Sequence, residues 1–389
     1  HAPVRSRAAS WVAETKTEGL ERASATIRVP EEHATIALAL RAAEAGDRIV
    51  VSSGTYRDHL VIDKAVVIVG EPGVVVEVDG RTAVTVTAPS GRMEHVAVRQ
   101  LRSAAGTEPG LDGKFVGVNI RAGTFQLLHC DVQSHSGACI AIHGADADPV
   151  VRNCAIHDGK QAGVYVFDGG RGRLQGNDIY NNEYAGVLLK RGGNPTLTRN
   201  KIRDGRETGV FVCHESTGVL EENEICRNQG SGIVIKGRGC PTIARNEIHS
   251  NAQAGIFCCD RGGGDIASNR IYGNSKAGVL IKTAGNPSLR NNWIHQGKET
   301  GVYVFDGGEG VLEDNDIYEN QNAGVLVTTE GKPRLLRNRI QQNKYEGVWI
   351  CKRGQCYLEG NDLRDNLKGA MDIHDDCKPH VVLIDNLLQ

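Results

Sequence analysis

The sequence predicts an all-β solenoid, a parallel β-helix wound from 23-residue coils, and three observations carry that expectation. A glycine precedes an alternating apolar run at Gly163, Gly186, Gly209, Gly232, Gly255, Gly278, Gly301, Gly324 and Gly347. An asparagine keeps the same interval at Asn177, Asn200, Asn223, Asn246, Asn269, Asn292, Asn315, Asn338 and Asn361. Aliphatic columns keep it too: Leu174 returns as Leu197 and Leu220, and Ile179 as Ile202, Ile225 and Ile248. A fixed period in the low twenties marks repeats that cannot bury a core singly and must stack to do so. Apolar spacing of 3.5 or 3.6 residues does not accompany it, which excludes coiled coils and helical solenoids. Leucine-rich repeats share the period, but their LxxLxL run and helical segment are missing.

Composition narrows the function classes. Lys+Arg is 45 and Asp+Glu 47, a formal net charge of −2 over 389 residues, so no basic face for nucleic acid is expected. The 48 glycines follow no Gly-X-Y period and serve turns instead of a collagen helix. Runs of about 18 or more apolar residues are lacking, so neither a transmembrane helix nor a membrane partner is expected. The chain opens at His1, which suggests a processed or trimmed product. Its 11 cysteines are odd in number and scattered through the coils. They read as reduced thiols filling small core positions, which points to the cytoplasm.

Taken in order, residues 1–25 show no repeat and read as a tail or linker, with the solenoid spanning 26–389. ATIRVP at 25–30 is a short strand, and residues 31–46, with Ile36, Leu38, Leu40 and a closing Gly46, form a short amphipathic helix. A solenoid needs its first coil covered, and this helix is the natural cap. Residues 47–80 give short strands split by Ser-Gly, Asp-Lys and Glu-Pro-Gly turns. Coils from Thr82 to Ala162 are irregular, with Gly106–Lys114 as an inserted loop, and residues 163–366 carry the strict repeat. Cys154 takes an asparagine place and Cys130 falls within one residue of it. Stacked asparagine amides can bond along the axis, a structural use that leaves no ligand role for the column.

The repeat is a double one. Proline recurs every 46 residues at Pro149, Pro195, Pro241, Pro287 and Pro333. In step with it, odd coils carry Tyr165, Phe211, Phe257, Tyr303 and Trp349 where even coils carry an aliphatic. The next outward column includes Phe167, Lys190, Lys236, Lys282 and Phe305, followed at the turn by Asp168, Asp260 and Asp306. Strand alternation places these opposite the core valines, so together they form a candidate binding face. Equivalent residues two coils apart lie roughly 9–10 Å from each other, too far for the aspartates to share a Ca²⁺. His374, Cys377 and His380 in MDIHDDCKPH are weak candidates for a soft metal, but their spacing matches no usual zinc pattern. A polar end cap is the plainer reading, and no cofactor is expected.

Two resemblances add to this. The order of helix, GDRIVVSSGTY and LVIDKAVVIVG, from Glu31 to Gly70, resembles the opening of right-handed parallel β-helices of the pectin-lyase-like class. The coil pair AGVYVFDGGRGRLQGNDIYNNEYAGVLLKRGGNPTLTRNKIRDGRETGVFV resembles the CASH-type repeats of F-box-only proteins, over about residues 137–366. Both imply a single-stranded right-handed parallel β-helix. The second implies a recognition surface that selects protein substrates for a ubiquitin ligase and has no chemistry of its own, although no F-box pattern appears in residues 1–50. The leading expectation is therefore a non-enzymatic solenoid binding a protein partner along the aromatic face. The alternative is a carbohydrate-active β-helix: a polysaccharide binder, lyase, epimerase or hydrolase.

Overall fold

The computed structural model describes residues 25–101, 111 and 113–389. They wind into three parallel sheets of 16, 14 and 13 strands, each coil giving one short strand to each sheet. Strands pair in register with their counterparts in the next coil: Leu174 with Leu197 in the 16-stranded sheet, Ile179 with Ile202 in the 13-stranded sheet, and Val164 with Val187 in the 14-stranded sheet. All six side chains are fully buried. A three-residue strand buries its middle or its two outer residues, and the aliphatic columns stack into one continuous core.

Two features fix the coil. Each glycine of the 23-residue column stands where two coils come too close for a side chain. A Cβ on Gly232 would lie 2.6 Å from Ile248 Cγ2 and 2.7 Å from the Gly255 carbonyl. The asparagine column fills the bend between the 16- and 13-stranded sheets. Asn177 donates from its backbone N–H (3.0 Å) and from Nδ2 (2.9 Å) to Oδ1 of Asn200, while Nδ2 also reaches the Val151 carbonyl at 2.9 Å. The sulfurs extend this ladder upstream, with Cys154 N–H donating to Asn177 (3.0 Å) and Cys130 N–H to Cys154 Sγ (3.4 Å). A second ladder, not foreseen from the sequence, runs through Asn228, Asn251 and Asn274 at the bend between the 13- and 14-stranded sheets.

The capping helix is shorter than expected, Ile36–Ala42 in place of 31–46. Thr35 Oγ1 caps it by accepting from Leu38 N–H, and Ala43 is already extended, so the flanking residues form turns. Ile36, Ala39 and Leu40 cover the first coil. The proposed tail at 1–25, apart from Ala25, and most of the proposed loop Gly106–Lys114 lie outside the described residues. All 11 cysteines are free, and ten are buried, with Cys240 exposed. Among the described residues no helix is long and apolar enough to cross a membrane.

Candidate functional site

The expected aromatic row does lie on the outward side of the 14-stranded sheet, but it is not a continuous exposed strip. Tyr165 is 4% exposed and Phe167 0%. Leu111, Val116, Ala138, Ala141 and Ala162 pack against them, the two rings stack on each other at 4.1 Å, and His143 stacks on Phe167 at 4.7 Å. Residues from an earlier coil, together with Leu111 and Val116, thus seal this end. Burial and the neighbouring Arg121 also pull the His143 imidazole below its ordinary pKa.

Beyond that seal the face opens into a trough. Phe211, Val234 and Phe257 line its floor, with Tyr184 and Thr208 on one side and Lys236, Asp260 and Lys282 on the other. The ammonium of Lys236 lies 5.2 Å from the Phe211 ring centre. Lys282 lies 5.9 Å from Phe257 and 5.7 Å from Phe305. Further along, Tyr303 stacks on Phe305 at 4.5 Å and shares a hydrogen bond with Thr328 Oγ1 at 3.2 Å. Lys190 is half-buried in the same row, and Trp349 stands half-buried near its far end.

A broader cleft of about 1020 Å³ adjoins the trough at the turn, lined by Arg191, His214, Glu215, Arg238, Asp260, Arg261 and Thr283. Its rim is a double left-handed turn repeated coil after coil: His214 and Glu215 have φ of 52° and 61°, Asp260 and Arg261 50° and 61°, Thr283 and Ala284 48° and 57°. Successive turns bond along the axis, as Arg261 N–H donates to the Thr283 carbonyl at 3.3 Å and Thr283 N–H to that of Asp306 at 2.8 Å. Two side-chain columns therefore stand side by side on the rim. The sequence reading followed the first, with Asp168, Asp260 and Asp306, and missed the second, with Glu215, Arg238 and Arg261. A signal was present, because the second column keeps the same 23-residue step.

The expected aspartates are separate. Asp168 is ion-paired to Arg191, whose hydrogen bonds hold its carboxyl below the usual range. Asp306 accepts from Thr283 Oγ1 at 3.0 Å. Asp260 joins trough and cleft. The cationic side chains Arg191, Arg238, Arg261, Lys236 and Lys282 outnumber the acids Glu207, Glu215 and Asp260 along the combined surface. At the C-terminal cluster, His374 and His380 are exposed while Cys377 is buried, with Sγ turned to Asp376 at 3.4 Å. Among the described residues, three metal-type donors converge at Glu224, Cys226 and His249, not at this cluster.

The family model for the right-handed β-helix region matches residues 113–243 and 231–388. Three solved structures are similar to this chain. The complex of XylC with xylose matches at 12% identity over 70% of this chain and 75% of that one, with a TM-score of 0.53. A mutant of the periplasmic alginate epimerase AlgG matches at 14% identity over 88% and 76%, TM-score 0.49. The pectate lyase Pel9A matches at 14% identity over 72% and 76%, TM-score 0.46. Identities this low speak to fold alone. These findings correct the expectation of a non-enzymatic, F-box-linked protein-recognition solenoid. The matched family model is that of the right-handed β-helix region, not of an F-box protein, and the aromatic strip on which that expectation rested is partly sealed at Tyr165 and Phe167.

Proposed function

The chain belongs to the right-handed β-helix family, and from that premise we propose that it is a carbohydrate-active protein that binds an acidic polysaccharide along the outward face of the 14-stranded sheet. The observation that carries this reading is the pairing of an aromatic floor with a cationic wall: Phe211 under Lys236, and Phe257 under Lys282, beside Arg238 and Arg261. Sugar rings present C–H faces that lie against aromatic rings, while uronate carboxylates take charge-assisted hydrogen bonds from Arg and Lys. The cleft is open and elongated along the axis, as an extended polymer requires, and the similar structures' epimerase, lyase and xylose descriptions agree with that use.

A lyase or epimerase reaction on the same polymer is the second reading. Both begin by abstracting a proton beside a uronate carboxylate, which needs a base and cations to hold the charge that develops. His214 stands on the rim with Arg191 and Arg238. Calorimetric titration with polyuronates against neutral glucans tests binding, and equal affinity for both, or none for either, would remove the reading. Absorbance of unsaturated uronate products and the NMR signature of an inverted C5 test the two reactions.

A further inference from the structure

The 13-stranded sheet carries on its outer face a ladder of stacked rings, His157 on Tyr180 and then His249, Tyr272, His295 and Tyr318, with centroids 4.5–5.3 Å apart. At Cys226 a sulfur stands in that ladder. Cys226 lies directly opposite His249 on the next strand, and Glu224 precedes it by two residues, so all three side chains leave one face of the sheet. Their donor atoms lie within 4.8 Å of one another. Cys226 Sγ is 3.4 Å, and His249 Nε2 3.6 Å, from the same Glu224 oxygen, Oε1.

We propose that Glu224, Cys226 and His249 form a binding site for a zinc-type divalent cation, on a different sheet from the polysaccharide trough. Zinc bonds of about 2.0–2.3 Å to oxygen, nitrogen and sulfur, set tetrahedrally, place donor atoms roughly 3.4–3.6 Å apart. Two of the three donor separations already have that length, before any adjustment of rotamers. The histidine is also oriented for it. Nδ1 is engaged with Ser250 Oγ at 3.1 Å, leaving Nε2 for the ion, the arrangement in which an outer partner fixes a ligating imidazole. Glu224 receives Lys201 Nζ on its other oxygen, Oε2, at 3.0 Å, so Oε1 remains directed at the sulfur and the imidazole.

Arg227 touches the sulfur at 3.3 Å, but two bonds to Asp204 at 2.8 and 3.0 Å anchor its guanidinium. Binding exchanges the thiol proton, released to solvent, for the metal–sulfur bond, leaving thiolate and carboxylate to balance the two charges of the ion. Cys226 is buried, while Glu224 and His249 are half-buried and so partly open to solvent. A three-ligand site with one open position is the form zinc takes where it binds a further ligand.

The test is Co²⁺ titration of the untagged chain in a Cys240→Ser background, which removes the exposed thiol. A near-ultraviolet thiolate-to-cobalt band and intense visible bands should saturate at one equivalent and vanish when Zn²⁺ is added. Cys226→Ser should abolish the near-ultraviolet band, and His249→Gln should weaken Co²⁺ binding at least tenfold, each with an unchanged circular dichroism spectrum. A parent protein without the band, or a band that survives in Cys226→Ser, overturns the proposal. If Cys226→Ser fails to fold, His249→Gln decides: unchanged Co²⁺ affinity in that variant also overturns it.

Discussion

Asn223 donates twice to one oxygen of Asn246: its backbone N–H and its Nδ2 each reach Asn246 Oδ1 at 2.9 Å. Asn246 repeats the gesture toward Asn269 Oδ1, at 2.9 and 3.0 Å, and both asparagines are about 1–2% exposed. Replacing Asn246 with alanine therefore leaves the buried Asn223 N–H with no acceptor and the Leu220 carbonyl without its side-chain donor. A buried donor orphaned in this way costs about 1–3 kcal/mol. Asn246→Ala should lower the thermal midpoint measurably, whereas alanine at the exposed Arg245 beside it should leave the midpoint within a degree or two.

The glycine column predicts a steric cost of another kind. Gly232→Ala pushes a methyl against Ile248 Cγ2 at 2.6 Å, the Gly255 carbonyl at 2.7 Å and Asn251 Nδ2 at 2.9 Å, none of which can move without disturbing a ladder. Overpacking of this type costs about 1–3 kcal/mol. Gly80→Ala, which meets nothing within 4 Å, is the control for space. It keeps a left-handed φ of 64°, so a smaller loss of about 1 kcal/mol or less is expected there, read by denaturant midpoints.

These two columns were legible in the sequence because each does one job in every coil, and a job repeated at fixed interval leaves a fixed residue. The second asparagine ladder was not, because glycine interrupts it at Gly205 and Gly297. Glycine suffices there, since what the neighbouring Asn228 and Asn320 accept is a backbone N–H, at 3.0 Å in both cases. The candidate site was legible in part. Its aromatic and lysine columns follow the 46-residue rhythm, but the cover over Tyr165 and Phe167 comes from Leu111 and Val116, about fifty residues upstream in an irregular stretch. The cluster at Cys226 was hidden for another reason: Cys226 and His249 stand one 23-residue step apart, but the outward column they share changes residue type from coil to coil, as Tyr180, Arg203 and Tyr272 show, so no repeated residue marks it.

His157 should make stability depend on pH. Burial lowers its imidazole pKa, but hydrogen bonds with Asp131 and Asp158, the latter at 2.7 Å, outweigh burial and raise it overall. A folded value above the unfolded one, about 6.5, means the contribution is complete below that pH and fades as pH rises through the folded value. Thermal midpoints of the parent should therefore fall as pH rises from about 6.5 through the folded value, and His157→Gln should flatten that part of the profile. A profile unchanged by the substitution contradicts this assignment.

In the cleft beside the trough, Arg238→Gln combined with Arg261→Gln should weaken polyuronate binding roughly tenfold, which corresponds to about 1.4 kcal/mol, and reduce its dependence on salt. Phe257→Ala should weaken binding by a similar factor at all salt concentrations, because it removes ring contact and not charge. Calorimetry at two ionic strengths separates the two effects.

Thiol titration should reveal the burial pattern directly. One sulfhydryl, Cys240, should react quickly with an aromatic disulfide reagent in the native protein, and the other ten only after denaturation. Burial, with Asp260 beside it, pushes the Cys259 thiol up to about 11, and burial with Glu224 does the same for Cys226, so both stay protonated and slow. Cys240→Ser should remove the fast phase entirely.

The uniform rungs also set how the protein would respond to force. Every coil is tied to the next by the same strand pairings and, through most of the length, the same doubly donated asparagine bond, and all of these bonds point along the axis. Stretched end to end, the rod would give way by peeling, one coil after another at nearly constant tension, with each step releasing about 23 residues of slack. Loaded across the axis, many rungs would share the strain at once, so the same molecule would be soft in one direction and stiff in the other.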